Sequence, residues 1–210
     1  MTKFLVIRHG ETQWNREMIF RGRQDIPLSE KGCEQARRLT ESLSTEPIAA
    51  VYSSPLSRAA DTAAAIASGR NVEVCLREEL IDMNFGEWEG LAVNEVRERY
   101  PKEFDHWARS PEEAVPPGGE GLSAIRARVR EGLEEWSQRH PEETLALITH
   151  RVVCKVILCE ALGLSNSAFW KIQQDVCALN AITVEDSRYV VLKMNDTCHL
   201  QGMGGDGVDF

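Results

Sequence analysis

No run of eighteen apolar residues occurs in the 210-residue chain, so nothing in it is long enough to form a membrane-spanning helix. Positive charge is scarce: 24 Lys and Arg stand against 33 Asp and Glu, a formal charge of −9 that disfavours a nucleic-acid partner. The six cysteines, Cys33, Cys75, Cys154, Cys159, Cys177 and Cys198, include no C-x-x-C pair and follow no regular spacing. Free thiols are therefore expected rather than a disulfide framework or a metal site. Cys154, Cys159 and Cys177 sit among apolar neighbours, where a thiol behaves as a small hydrophobe. There is no H-E-x-x-H, no internal repeat and no low-complexity tract. The stretch Met1 to Arg8 runs straight into apolar residues without a signal-peptide h-region, and a cytoplasmic protein is expected.

What is present is an ordinary globular composition, 42% hydrophobic and 27% charged, sufficient for a full core. Apolar runs alternate with helical periods, the pattern of an α/β fold: a three-layer sandwich whose mostly parallel central sheet is flanked by helices. Strands are expected at Phe4 to Ile7, Ile48 to Tyr52, Asn71 to Val74 and Thr144 to Thr149. A closing hairpin is expected from Ala181 to Val184 and Tyr189 to Lys193. Pro27-Leu28-Ser29 introduces a helix with Ala36, Leu39 and Leu43 on one stripe, and Leu56 to Ala67 carries a second. A polar helix near Val93 to Tyr100, one over about 121–139 and one over Val152 to Leu162 complete the set. The rhythm breaks over 76–120, which predicts an inserted helical and loop subdomain, cap-like over the site. The domain is expected to fill 1–200, with a flexible tail over 201–210.

Three strands end in similar punctuation. Leu5-Val6-Ile7 leads into Arg8-His9-Gly10, Val51-Tyr52-Ser53-Ser54-Pro55 leads toward Arg58, and Leu147-Ile148-Thr149 leads into His150. Ligands of open α/β sheets bind outside the carboxyl ends of the strands, so Arg8, His9, Arg58 and His150 can converge. Two guanidiniums offer bidentate donors matched to a phosphate, and nearby helix N-termini can add N–H groups. The implied ligand is a small anion. Taken singly, each residue reads as a solvated or core side chain; it is the agreement of three strand ends that points to a site.

These residues also carry a resemblance. Arg8-His9-Gly10-Glu11-Thr12-Gln13-Trp14-Asn15, then Ser53-Ser54-Pro55-Leu56-Ser57-Arg58-Ala59, Phe85-Gly86-Glu87-Trp88-Glu89-Gly90 and Thr149-His150 resemble the histidine phosphatase superfamily, the phosphoglycerate-mutase-like family. Through Phe169 to Asp175 and Met194 to Leu200 the chain is similar to its α-ribazole phosphatases and metal-independent phosphoserine phosphatases. The resemblance spans residues 3 to about 200. It implies that His9 attacks phosphorus to give a phosphohistidine that water hydrolyses. Arg8, Arg58 and His150 would hold the phosphoryl oxygens, with Asn15 as a further contact, and no metal or cofactor would be needed.

Three positions depart from the family pattern. The family's proton donor is usually a Glu four residues before the Gly of the F-G-x-W-E-G stretch, and here Asp82 stands there, with Glu87 in reserve. Asp starts from a lower pKa than Glu, about 3.9 against about 4.3, so desolvation and phosphate charge must hold it neutral. Arg151 follows the second His where Gly is common, and is open between binding a second anionic group and pointing to solvent. Arg21 precedes Gly22 where the mutases carry a small residue; contact of Arg21 and Gly22 with substrate stands against simple solvation. The expected activity is hydrolysis of a small phosphorylated metabolite, such as α-ribazole 5′-phosphate, phosphoserine or a phosphoglycerate derivative. A phosphoglycerate mutase and a non-catalytic phosphoester-binding protein are the alternatives. Family members are often dimers, so the resemblance leaves a homodimer through the late hairpin open.

Overall fold

Alternation along β1 (Thr2–Arg8) divides the molecule into layers: Phe4 and Val6 enter one apolar cluster, Leu5 and Ile7 the other. The structure is a computed structural model that describes residues 1–186 and 188–203. β4 (Thr144–Thr149), buried at every position, repeats the division with Leu145 and Leu147 against Ala146 and Ile148. With β2 (Ile48–Ser53), β3 (Val74–Leu76), β5 (Leu179–Glu185) and β6 (Arg188–Asp196), they form one sheet in the order β3-β2-β4-β1-β5-β6. The first four are parallel to their neighbours, whereas β5 runs antiparallel to β1 and β6 to β5.

Register decides where the functional residues meet. Arg8 lies opposite Thr149 and Ser53 opposite Ile148, so the carboxyl ends of β1, β2 and β4 finish level at one edge.

One face is covered by α2 (Glu30–Ser42) and α3 (Ser57–Ala67), which supply Leu39, Ala59, Ala63 and Ile66. The other is covered by α6 (Leu122–Arg139) and α7 (Arg151–Ala161). The Ser29 hydroxyl caps α2 by accepting from the Gly32 N–H at 3.1 Å. At the end of α7, Gly163 takes φ +66 while its N–H bonds the Glu160 carbonyl and that of Leu164 bonds Cys159. That paired closure satisfies carbonyls the helix leaves open, and glycine adopts the positive φ without strain.

Segment 76–120 holds α4 (Val93–Arg99), α5 (Pro101–Arg109) and short 3-10 turns. Its Leu80, Met83, Trp88, Val96, Phe104 and Trp107 are buried in the same cluster as Leu147, Val153 and Phe169, so it shares the sheet's core. α5 was not expected from the sequence, although Pro101 at its first turn and Phe104 and Trp107 at i, i+3 spacing mark it. The third strand is corrected from 71–74 to Val74–Leu76, because pairing with Val51 to Ser53 supplies hydrogen bonds only there. The tail expected over 201–210 lies, from residue 204 on, outside the described residues. No helix among the described residues is long and apolar enough to cross a membrane.

Candidate active site

Arg8 and His9 leave β1 into a loop that touches α2 backbone to backbone. A Cβ on Gly10 would come 2.6 Å from the Gly32 carbonyl oxygen, and one on Gly32 would come 2.1 Å from that of Glu11. Glycine at both places is what allows the approach. The His9 N–H bonds the Thr149 carbonyl, its own carbonyl accepts from Cys177, and Gly10 N–H donates to Thr62 Oγ1 at 3.2 Å. The backbone that carries the imidazole is thus fixed from three sides, and His9, Arg8, Arg58 and His150 are all essentially without solvent exposure.

The hydrogen bonds assign the tautomers. His9 Nδ1 donates to the Gly10 carbonyl at 2.6 Å, which leaves the lone pair on Nε2. Arg58 Nε donates to His150 Nδ1 at 3.2 Å, so His150 carries its proton on Nε2 and donates it to Ser54 Oγ at 2.7 Å. The two rings meet edge to face with centroids 5.1 Å apart. Burial, then the charges of Arg58 and other nearby cations, hold both imidazoles well below the ordinary value, so both are neutral at pH 7.

Asp82 is buried beside them, its Oδ2 3.3 Å from Arg58 Nη2 and 3.6 Å from His150 Nδ1. Desolvation pushes its carboxyl above the usual range, and Arg58 and Arg21 offset only part of that. Glu87 is elsewhere: it is exposed and accepts from the Tyr100 hydroxyl at 3.0 Å. Asn15 is buried, and its Oδ1 accepts from the Thr12 N–H and hydroxyl at 2.8 and 2.9 Å, closing α1 (Gln13–Arg16). Arg21 is buried, and its charge acts on His9, His150 and Asp82. Gly22, at φ +51, gives its carbonyl to Arg58 Nη2 at 2.7 Å. Arg151 lines a cavity of about 30 Å³ with Arg21, Gly22 and Asp82. A wider cleft of about 660 Å³ at Thr2, Glu142 and Tyr189 lies by the opposite ends of the strands and holds none of these residues.

The family model of the histidine phosphatase superfamily (branch 1) matches residues 4–197. The chain belongs to the histidine phosphatase superfamily. Phosphoserine phosphatase 1 of Hydrogenobacter thermophilus is 38% identical over 200 residues, 95% of either chain. The adenosylcobalamin/alpha-ribazole phosphatase of Escherichia coli is 28% identical over 189 residues, 90% of this chain and 93% of that one. Bacillus stearothermophilus YhfR superposes with a TM-score of 0.92 at 32% identity, covering 96% of this chain and all of its own. With the family and these full-length relatives together, this chain is a phosphatase.

Several residues that hold this histidine phosphatase site together escaped the sequence reading. Ser54 accepts the hydrogen bond from His150 Nε2, and Gln174 anchors Arg8, whose Nη1 donates to the Gln174 carbonyl at 2.6 Å. Gln174 is fixed in turn by a reciprocal amide pair with Asn180 at 2.8 and 2.9 Å. Arg128, from α6, donates to the Asp82 carbonyl at 3.4 Å and to the Glu79 carbonyl at 2.6 Å. Glu89 accepts from Arg23 N–H at 3.0 Å and Phe85 N–H at 3.1 Å, tying loop 21–24 to the F-G-E-W-E-G turn. Ser54 stands just past β2, and Glu89 and Gln174 lie within motifs that carry the resemblance; Asn180 and Arg128 have no local signal, Arg128 because its partners are far away along the chain.

Proposed function

We propose that this histidine phosphatase is a phosphomonoesterase that hydrolyses a small phosphorylated metabolite through a phosphohistidine on His9. The observation that carries this is the His9 Nδ1 bond to its neighbour's carbonyl, because it leaves the lone pair on Nε2 of a buried imidazole that lies in the field of Arg58, Arg8 and Arg21. In the first step Nε2 attacks phosphorus as the ester P–O bond breaks, and Asp82 gives its proton to the departing alkoxide oxygen. Arg8, Arg58 and His150 gather the phosphoryl oxygens, where charge spreads in the transition state. Water then attacks the phosphohistidine, Asp82 taking its proton, and inorganic phosphate leaves.

Asp82 suits both steps. Burial shifts it toward the protonated form, and a negative phosphate beside it acts in the same direction. Phosphoserine and α-ribazole 5′-phosphate, named for the relatives, are the first substrates to try.

The test is phosphate release, with chelator present, over a panel of phosphomonoesters, combined with trapping of labelled enzyme by an alkaline denaturing quench. The expected result is turnover and an acid-labile, base-stable phosphoenzyme, both absent from His9→Ala. Labelled enzyme persisting in His9→Ala, or phosphate binding without release by the wild type, would overturn the proposal.

A further inference from the structure

Arg151 is the first residue of α7, directly after His150, and it is not left to solvent. Its guanidinium lies over the indole of Trp170, 5.9 Å from the ring centroid. Trp170 is itself fixed: its Nε1–H donates to the Trp107 carbonyl at 3.0 Å, and its ring meets Phe169 and Trp107 edge-on at 4.8 and 5.5 Å. One turn along α7, Lys155 places its ammonium 4.8 Å from the same indole, so two cations hold one ring. An arginine stacked on an immobilised indole has lost much of its rotamer freedom before any ligand arrives, and a preorganised donor binds more tightly than a mobile one.

Where that guanidinium stands matters as much. It borders the small cavity with Arg21, Gly22 and Asp82, and the rest of the wall, Phe20, Phe85 and Val152 among it, is apolar. Asp82, 3.3 Å from Arg58, marks the side on which the leaving group departs. Arg151 therefore faces the non-phosphate end of the substrate, while Arg8 and Arg58 serve the phosphate. The cavity that Arg151 borders is small. Apolar walls lower the local dielectric, which strengthens a guanidinium–carboxylate pair relative to water.

We infer that Arg151, seated on Trp170, is a specificity-determining residue that grips a carboxylate on the substrate's leaving group, and that the substrate class is compact phosphorylated hydroxy acids and hydroxy amino acids. This rests on the phosphomonoesterase reading above and narrows it.

The experiment uses matched pairs that differ by one carboxylate: phosphoserine with phosphoethanolamine, and phosphoglycolate with ethyl phosphate. A bisphosphorylated diol forms a third arm. kcat and KM are measured for the wild type, Arg151→Met, Arg151→Lys and Trp170→Leu. The expected wild type prefers the carboxylated member of each pair. In Arg151→Met the kcat/KM ratio within each pair falls by about tenfold to a hundredfold, mainly through KM. Arg151→Lys restores part of the ratio, and Trp170→Leu lowers it by loosening the seat. Equal losses for both members of a pair would make Arg151 structural and overturn the inference, as would a ratio that does not move or a preference for the bisphosphate. Failure of the wild type to turn over any member instead defeats the phosphomonoesterase reading, so the two failures are distinct.

Discussion

Arg58 Nη2 stands 3.3 Å from Asp82 Oδ2 with both side chains buried, yet the carboxyl is pushed up, not down. At the surface such a pair would depress the acid. Here desolvation is the larger effect on both partners, and the arginine, already tied to the Gly22 and Gln24 carbonyls at 2.7 Å each, shares its charge among several acceptors. A guanidinium beside a carboxyl biased toward its protonated form suits the proposed phosphoryl transfer, in which one group holds charge and the other delivers a proton.

Asp82→Asn is expected to lower kcat on alkyl phosphates by about 10²- to 10⁴-fold. The loss on an aryl phosphate, whose leaving group departs without protonation, is much smaller. Glu87→Gln leaves both within about twofold, since Glu87 is exposed and bonded to Tyr100. Side-by-side kinetics on the two substrate types check this; an equal loss on both would remove Asp82 as the acid.

Arg58→Lys keeps the charge but forfeits the fork that reaches His150, Gly22, Gln24 and Asp82 together. The expected result is a fall in kcat/KM of at least about a hundredfold, with faster proteolysis in the 21–24 loop. A lysine variant that retained more than about a tenth of wild-type activity would show that charge alone suffices.

Acid sensitivity follows from the two imidazoles. Both have folded-state pKa values below the unfolded value of about 6.5, so the unfolded chain binds more protons there. The stability they confer is complete above about pH 6.5 and drains as pH falls, by up to about 1.4 kcal/mol per pH unit for each. Asp82 acts oppositely, its contribution being lost as pH rises through its elevated pKa. Urea unfolding at about pH 7.5 and about pH 5.5 should show a smaller drop for His150→Gln than for wild type; identical drops would contradict the assignment.

Gly10→Ala forces a Cβ to within 2.6 Å of the Gly32 carbonyl oxygen, backbone against backbone. A cost of about 1–3 kcal/mol is expected, with Tm falling about 2–4 °C for each kcal/mol. A thermal melt indistinguishable from wild type would mean that the loop moves away from α2 at little cost.

Much of this was legible in the residues. The unbroken apolar runs of β1 and β4 encoded a sheet buried on two faces, and the basic or imidazole residues just past three strands encoded a convergent site, because parallel strands must end on one edge. Asp82 was placed by its offset from Gly86, and the structure sets it within 3.3 Å of Arg58.

What the sequence could not carry was everything that depends on distance across the chain. Glu87 and Asp82 are both acids in one short segment, and only packing buries one against Arg58 while leaving the other on Tyr100. Arg151 and Trp170 are nineteen positions apart, and no local period predicts that one sits on the other. The net charge of −9 described the surface correctly and said nothing of the interior, where Arg8, Arg21 and Arg58 gather out of water. Periodicity and strand ends are local and therefore written in order along the chain; desolvation, tautomer and pairing arise from groups brought together only when the chain closes, and those decide the chemistry.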